Sequence, residues 1–411
     1  MSATTTFRSL RHANVRRYLG GLAISQIGAW VQFTTVAVVV DRLTSSTTAI
    51  GILTALQFGP LLVLGAWAGA LSDRLNRQRI VLITQTLMAV QAVLFAIANA
   101  TGYLSLGVIY ALTLLLGVIS AIDNPARRGF LTELVDSEEI PNAMSLNTAT
   151  MTGSRIFGPA IAALLIGVID VGWLFVVNAV TSIAIIWSIV TIDRSKVNVP
   201  PKVAKGGRPI REAVAYIVRT PLFGPVFLIF TVVSTFGYNH NVSLPRIANE
   251  VWGSERWFGW VMTATSVGSL TGSLLTAGRA HITLRWMAGN GVVLGCAGLA
   301  LSVASSGWMA LVVALPLGLG GSGFIASMNS WSQEMCPPAM RGRVLAFGAV
   351  AFLGSYPIGG PITGLVGDHI GLSWSLAYGA VIVLGSVAWL RSIAPRGTAV
   401  QNIEKASTLS V

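Results

Sequence analysis

The sequence predicts an all-α integral membrane protein of twelve transmembrane helices, arranged as two pseudo-symmetric halves of six. Three observations carry this expectation. Of 411 residues, 53% are hydrophobic and only 10% are charged, against about 25% charged in a soluble domain, so most of the surface must face lipid. Apolar segments near the ~20 residues needed to cross a bilayer recur along the chain. When these segments are threaded in alternation, 27 lysines and arginines sort almost entirely to one side, which is the positive-inside asymmetry.

The expected spans are 18–40, 48–71, 80–101, 104–122, 143–168, 172–192, 222–244, 257–278, 286–305, 307–328, 344–367 and 372–391. With the N-terminus inside, only Arg42, Arg246 and Arg256 fall in outer loops, and only Arg155 falls in the interior of a span, Arg391 closing the last span at its cytoplasmic end. This sorting explains the net charge of +12 as topology and sets nucleic-acid binding aside; contact with anionic lipid heads is compatible with it. The basic arm Arg8, Arg11, Arg16 and Arg17 imitates a signal peptide. The first span is too long for one and no small-residue cleavage site follows, so it reads as a retained helix. Two cysteines, Cys296 and Cys336, are too few for a disulfide framework.

Residues 193–221 form the longest polar stretch, with Pro200-Pro201, Gly206-Gly207 and several basic residues. They read as a cytoplasmic linker whose end, Ile210–Arg219, has a helical period suited to the membrane surface. The expected organisation is therefore a six-helix bundle over 1–192, the linker, a second bundle over 222–393 and a tail over 394–411. The halves echo each other: Gly69 and Gly272, Glu133 and Glu334, Gly158-Pro159 and Gly360-Pro361 stand at nearly one offset.

Between the second and third spans runs Gly69-Ala70-Leu71-Ser72-Asp73-Arg74-Leu75-Asn76-Arg77-Gln78-Arg79. It resembles the loop signature G-x-L-x-D-R-x-G-R-K/R of the major facilitator superfamily. That resemblance implies the major facilitator fold, with a substrate bound between the two halves near mid-membrane. It also implies a gating role for Gly69, Asp73, Arg74, Arg77 and Arg79. Asp73 would cap a helix of the opposite half in the outward-facing state, and the arginines would pair with acids such as Asp123 or Glu133. Asn76 stands where the signature has Gly; Asn also tolerates a left-handed turn. The second-half counterpart, Gly278-Arg279-Ala280-His281, lacks the acid.

The fifth span carries Ser145, Ser154, Gly158, Pro159, Ala162 and Ala163 at the positions of the antiporter signature G-x8-G-x3-G-P-x2-G-G. All are small, which permits close helix approach, and Pro159 permits a bend. The resemblance implies a tight contact between spans five and eight; ordinary small-residue packing is the alternative. Arg155 lies one turn before Gly158-Pro159. A charged residue at that depth is expensive and by default functional. It can attract an anionic or polar substrate, lower the pKa of a nearby carboxylate, or serve structurally by reaching backbone carbonyls or Asp123.

Few groups in the spans titrate. Asp41 and His240 are the candidates for proton coupling, with Asp368 at the outer end of span eleven. Asp41 reads equally as an interface carboxylate paired with Arg42, and His240 as a neutral vestibule residue. Gln26, Trp30, Thr34 and Asp41 share one helical face. With Gln57, Arg155, Asn239 and Tyr356 they are the candidate cavity lining.

The stretch Asp123–Val135 with Pro141-Asn142-Ala143, Tyr238-Asn239 and Arg341-Gly342-Arg343-Val344 resembles the siderophore-exporter (enterobactin-exporter-like) efflux branch of the superfamily. The resemblance implies an inner-membrane exporter of a small amphipathic molecule, such as a siderophore, drug or secondary metabolite. Proton-coupled antiport by alternating access is expected, in a monomer with both termini cytoplasmic. The rivals are an uptake permease of the same fold and a transport-dead sensor. No cofactor, metal site or enzymatic constellation is expected, because the four histidines are scattered and no G-x-x-x-x-G-K-[ST] is present.

Overall fold

A computed structural model describes residues 7–198, 215–220 and 222–394. They form fourteen α-helices joined by short turns and a few 3₁₀ segments: α1 (Ala13–Thr44), α2 (Thr47–Arg74), α3 (Arg77–Ala100), α4 (Leu106–Glu133), α5 (Ile140–Leu165), α6 (Val171–Val190), α7 (Phe223–Gly237), α8 (His240–Glu250), α9 (Arg256–Ala277), α10 (Leu284–Ser302), α11 (Gly307–Met335), α12 (Pro338–Leu353), α13 (Tyr356–His369) and α14 (Leu372–Ile393). Several begin at a side-chain cap. Ser46, Asn76, Ser105, Asp170, Thr283 and Ser306 each accept a first-turn backbone N–H, satisfying a donor that lipid could not.

Among the described residues, nine helices are long and apolar enough to cross a membrane, with α12 and α13 taken together as Met340–His369. The expected spans seven, five and eight are outside that group. Span seven is interrupted: α7 stops at Gly237 after 15 residues and α8 restarts at His240. The other two, α5 and α9, carry Arg155 and Arg256 and many Ser, Thr and Gly residues, because they pack against each other rather than facing lipid all round. Span eleven is also broken, at Gly354-Ser355. Pro357 lacks an N–H, and its ring would clash with the carbonyl four residues back in a continuous helix.

The helices pair in a repeating pattern. In the first bundle α1 packs on α6, α2 on α4, and α3 on both α4 and α6; in the second, α7 packs on α14, α9 on α11, and α10 on both α11 and α14. Taking α7–α8 and α12–α13 as interrupted spans makes these equivalent partners under a twofold. Two seams join the bundles, α2 with α13 and α5 with α9. Three aliphatic and aromatic clusters fill the interior.

Three sequence expectations change at the ends of the elements. Span four continues to Glu133, so Asp123–Glu133 is helical rather than a loop; Asp123 and Glu133 are buried, Arg127 is half-buried beside Asp123, and Arg128 is exposed. The exposed connection between α2 and α3 shrinks to Leu75-Asn76. Asn76 has φ −68° and caps α3 through Arg79 N, so its value is as an N-cap, not as a left-handed turn residue. Of the expected amphipathic segment Ile210–Arg219, only 215–219 lies within the described residues, and it is helical; the tail beyond 394 lies outside them.

Candidate functional site

The two ends of the molecule are built differently. At the basic end, which carries the Gly69–Arg79 stretch, the bonds among the described residues stay within one bundle or the other. Arg77 pairs with Asp73 at 3.0 Å and with Glu133 at 3.1 Å. The Asp73 side chain is 65% exposed and, among the described residues, bonds to no helix of the second bundle. Arg74 and Arg79 are exposed, and Gly69 is half-buried with open space around it. Asp123 does not meet these arginines. It pairs with Arg127 one helical turn on at 3.2 Å and accepts from Thr84 and Gln85, a correction that follows from its place on the buried face of α4.

The same end holds a cluster the sequence did not reveal. Glu139, whose side chain is 1% exposed, accepts from Arg8 at 2.8 Å and His12 at 2.6 Å and also pairs with Arg11. Ser9 donates through its backbone N–H and hydroxyl to Asn142. The N-terminal arm is thereby strapped across the start of α5. Burial pushes the Glu139 carboxyl up, but the hydrogen bond from His12 and the charges of Arg11, His12 and Arg8 outweigh it and hold the group below its ordinary value.

At the opposite end the bonds cross between bundles. Asp368, near the end of α13, sits on the N-terminus of α2. It accepts from the backbone N–H of Thr47 and Thr48 at 2.8 and 2.9 Å and from the hydroxyls of Ser46 and Thr47. This is a carboxylate at a helix N-terminus, where the dipole favours it, supplied by the other bundle. Arg246 adds an ion pair to Asp368 at 2.8 Å. Arg42 grips Glu255 with two bonds, and Arg256 donates to the Ile166 carbonyl at 2.8 Å. Arg42 therefore does not pair with Asp41. Asp41 is buried, accepts from Asn249 at 3.4 Å, and has its second oxygen without a hydrogen-bond partner among the described residues.

The α2–α13 seam is close enough to require glycine. A Cβ at Gly364 would strike the Thr47 carbonyl and Thr48 backbone, and one at Gly51 would strike the Gly360 carbonyl. In the α5–α9 seam, Gly259 faces Pro159 and Ala163, and Thr263 donates to the Ile156 carbonyl at 3.3 Å. Ser154 and Gly158 face α1 instead, with Ser154 donating to the Ala23 carbonyl and Gly158 against Trp30.

Arg155 lies between those two contact faces. Its helical opposite is the lipid side: Phe157 and Leu164, about 180–200° away at 100° per residue, are each 58% exposed. Arg155 thus points into the cleft between bundles, and it is exposed there. Its guanidinium lies over the Trp30 ring at 5.3 Å and within electrostatic reach of the Tyr356 hydroxyl. Tyr356 begins a line of rings across the cleft: Phe58 to Tyr356 at 5.1 Å, Tyr356 to Phe352 at 5.7 Å, Phe352 to Tyr238 at 5.2 Å. Gln26 and Gln57 are half-buried on the cleft helices α1 and α2.

Other predicted lining residues are elsewhere. Thr34 is fully buried and bonds back to the Trp30 carbonyl, as β-branched hydroxyls in helices do. Asn239 is 2% exposed, bonds to the Thr235 carbonyl and packs where a Cβ on Gly359 would sit. It belongs to the interior of the second bundle. His240 borders a cavity of about 20 Å³ in that bundle with Phe236, Leu301 and Ser375. Sequence reasoning missed a buried amide chain in the first bundle: Asn178 donates to Gln32 at 2.8 Å and Gln32 to Gln91 at 3.0 Å. Its signal was three amides on three apolar spans.

Solved structures share this architecture. A POT family transporter in complex with 5-aminolevulinic acid has a TM-score of 0.73 at 11% identity over 92% of this chain and 96% of its own. A bacterial homologue of the lysosomal transporter Spinster, in an inward-facing unoccupied conformation, scores 0.68 at 16% identity over 93% and 95%. Both show the fold alone. Among curated relatives, the staphyloferrin A transporter of Staphylococcus aureus is 25% identical over 55% of this chain, and the match spans little more than half, 57%, of that relative's length. The enterobactin exporter EntS of Escherichia coli O1:K1 is 22% identical over 84% of this chain and 82% of its own. The model of the transmembrane secretion effector family, MFS_3, matches residues 4–408. This multi-pass membrane protein therefore belongs to the transmembrane secretion effector family of the major facilitator superfamily of transporters.

Proposed function

We propose that the chain is a secondary active exporter of a small amphipathic molecule, of siderophore, drug or secondary-metabolite type, in a bacterial inner membrane. The basic end faces the cytoplasm, as the positive-inside asymmetry favours. One observation carries the reading: the opposite end is bonded across both seams while Asp73 stays within its own bundle and Arg155 is exposed between them. That is the arrangement of a cytoplasm-open state in an alternating-access cycle. In the other state, Asp73 would leave Arg77 and engage the second bundle, with the Arg74, Arg77 and Arg79 group around it.

Proton entry drives the cycle in this reading, with Asp41 and His240 as the groups that titrate. Asp41 is the stronger of the two, because it sits at the bundle junction near Asn249 and Arg246. Export rather than uptake is favoured by the resemblance to EntS over most of the chain. The test is flux through purified protein in liposomes under an imposed pH gradient, screened across siderophores and drugs. Substrate movement opposite to the proton gradient is expected; movement with it identifies an uptake symporter, and none with any cargo points to a transport-dead sensor.

A further inference from the structure

Among the described residues, the cleft holds a cation with no anion to match it. Arg155 projects from the middle of α5, about 15 Å from its far end at 1.5 Å per residue, on the side opposite the lipid-facing Phe157 and Leu164. Its recorded neighbours are the Trp30 face and the Tyr356 phenol. Among the described residues no carboxylate forms an ion pair with it. The acids of the spans are engaged or distant: Asp123 with Arg127, Glu133 with Arg77, Asp368 with the α2 N-terminus, Asp41 with Asn249.

A guanidinium is retained at membrane depth only where something favours its charge. In a bundle interior that is normally an acid on a neighbouring helix. Here the guanidinium has the Trp30 ring, which stabilises a cation weakly, and the Tyr356 phenol within electrostatic reach, and no hydrogen bond takes up its fork among the described residues. The fork matches a carboxylate in bidentate fashion. The walls beside it are Trp30, Phe58, Tyr356 and Phe352, all half-buried, which suit a planar or apolar body attached to that anionic head.

We propose that the cleft selects amphipathic anions, with Arg155 as the residue that binds the carboxylate head and the Trp30–Tyr356 walls holding the apolar remainder. This rests on the transport reading above and narrows its substrate class. It has a directional consequence. A net anion leaving a cell with an inside-negative potential moves down its electrical gradient, so the selectivity built by Arg155 and export reinforce each other.

The test is equilibrium binding to purified full-length protein in nanodiscs of phosphatidylcholine at neutral pH, by titration calorimetry. The probes are benzoate and its uncharged isostere benzamide. At least tenfold tighter binding of the benzoate is expected for the wild type. Arg155→Gln should bring the two affinities together by weakening the benzoate, and Arg155→Lys should keep part of the preference, because a point charge lacks the fork. Equal binding of the two probes by the wild type, or a preference that survives Arg155→Gln, overturns the proposal. Should Arg155→Gln fail to insert, the wild-type ratio and the Arg155→Lys value still decide. Flux is recorded separately in liposomes made from the same preparations. Preference without flux retains the anion site and removes the transport reading; flux without preference does the reverse.

Discussion

The two ends of the bundle pair use the same chemistry to different effect. At the far end, Asp368 reaches from one bundle to cap a helix of the other, and Arg42, Arg246 and Arg256 reinforce the junction. At the basic end, Asp73 has a similar position at a helix terminus, but its partner Arg77 lies four residues on in the same bundle. A carboxylate among arginines is therefore not in itself a lock. It becomes one only when its acceptor oxygens meet amides from the opposing bundle. The difference also suggests that the cycle exchanges one such cap for the other.

The largest change should follow Asp368→Ala. It removes two backbone caps, two hydroxyl bonds and the Arg246 ion pair together. Breaking a fully buried charged network costs about 3–5 kcal/mol. Because this one is partly exposed, about 2–4 kcal/mol is expected, a shift of roughly 30- to 700-fold toward opening of that end. Accessibility of engineered cysteines lining the far end to a membrane-impermeant maleimide measures it. Gly364→Val should open the same end by a different route, forcing α2 and α13 apart against the Thr47 carbonyl at about 1–3 kcal/mol. If labelling stays unchanged, the seam is not the closing surface. Arg42→Ala should be milder, about 0–1 kcal/mol, because its pair with Glu255 is partly exposed and screened. Adding salt should reproduce most of that effect in the wild type. Asp73→Asn should alter this state least, by about 0.5 kcal/mol or less for an exposed i,i+4 pair, yet halt flux by removing the cap from the alternate state. Full transport by that variant would detach Asp73 from gating.

The N-terminal strap sharpens the contrast from the basic end. The Glu139 carboxyl is held below its ordinary value of 4.5, so its contribution is fully present above that pH and is lost as the pH falls through the lowered value. Hydrogen exchange at the Ser9 amide, which donates to Asn142, should stay protected down to about pH 4.5 and lose protection only in stronger acid. Loss of protection well above pH 4.5 would remove Glu139 from control of the strap.

Much of the fold was legible because membrane burial imposes long apolar runs and an uneven charge distribution. The interruptions of spans seven and eleven were less so: Pro357 marked one, but Tyr238-Asn239 has no breaker strong enough to announce itself. Polar geometry was read least well. Helical phase placed Thr34 with Trp30 on one stripe, but could not tell that Thr34 satisfies its hydroxyl on the Trp30 carbonyl and leaves the cleft. Arg42 follows Asp41 directly, yet consecutive helical residues point about 100° apart, and its guanidinium finds Glu255 across the bundle junction. The role of Asp368 depends on Thr47 and Thr48, more than three hundred positions away, a pairing no local pattern contains. Arg155 was visible at once because a lone charge in a span stands out; its stacking on Trp30 was not.

The most direct test is a pair of spin-label distances in the substrate-free protein, with Cys296 and Cys336 first replaced by serine. One pair spans the far end between Leu43 and Ile370; the other spans the basic end between Arg74 and Arg341. The account predicts a short, narrow distribution at the far end and a longer, broader one at the basic end, with Asp368→Ala lengthening the first and shortening the second. A far end already wide in the wild type, with the basic end closed, would contradict it.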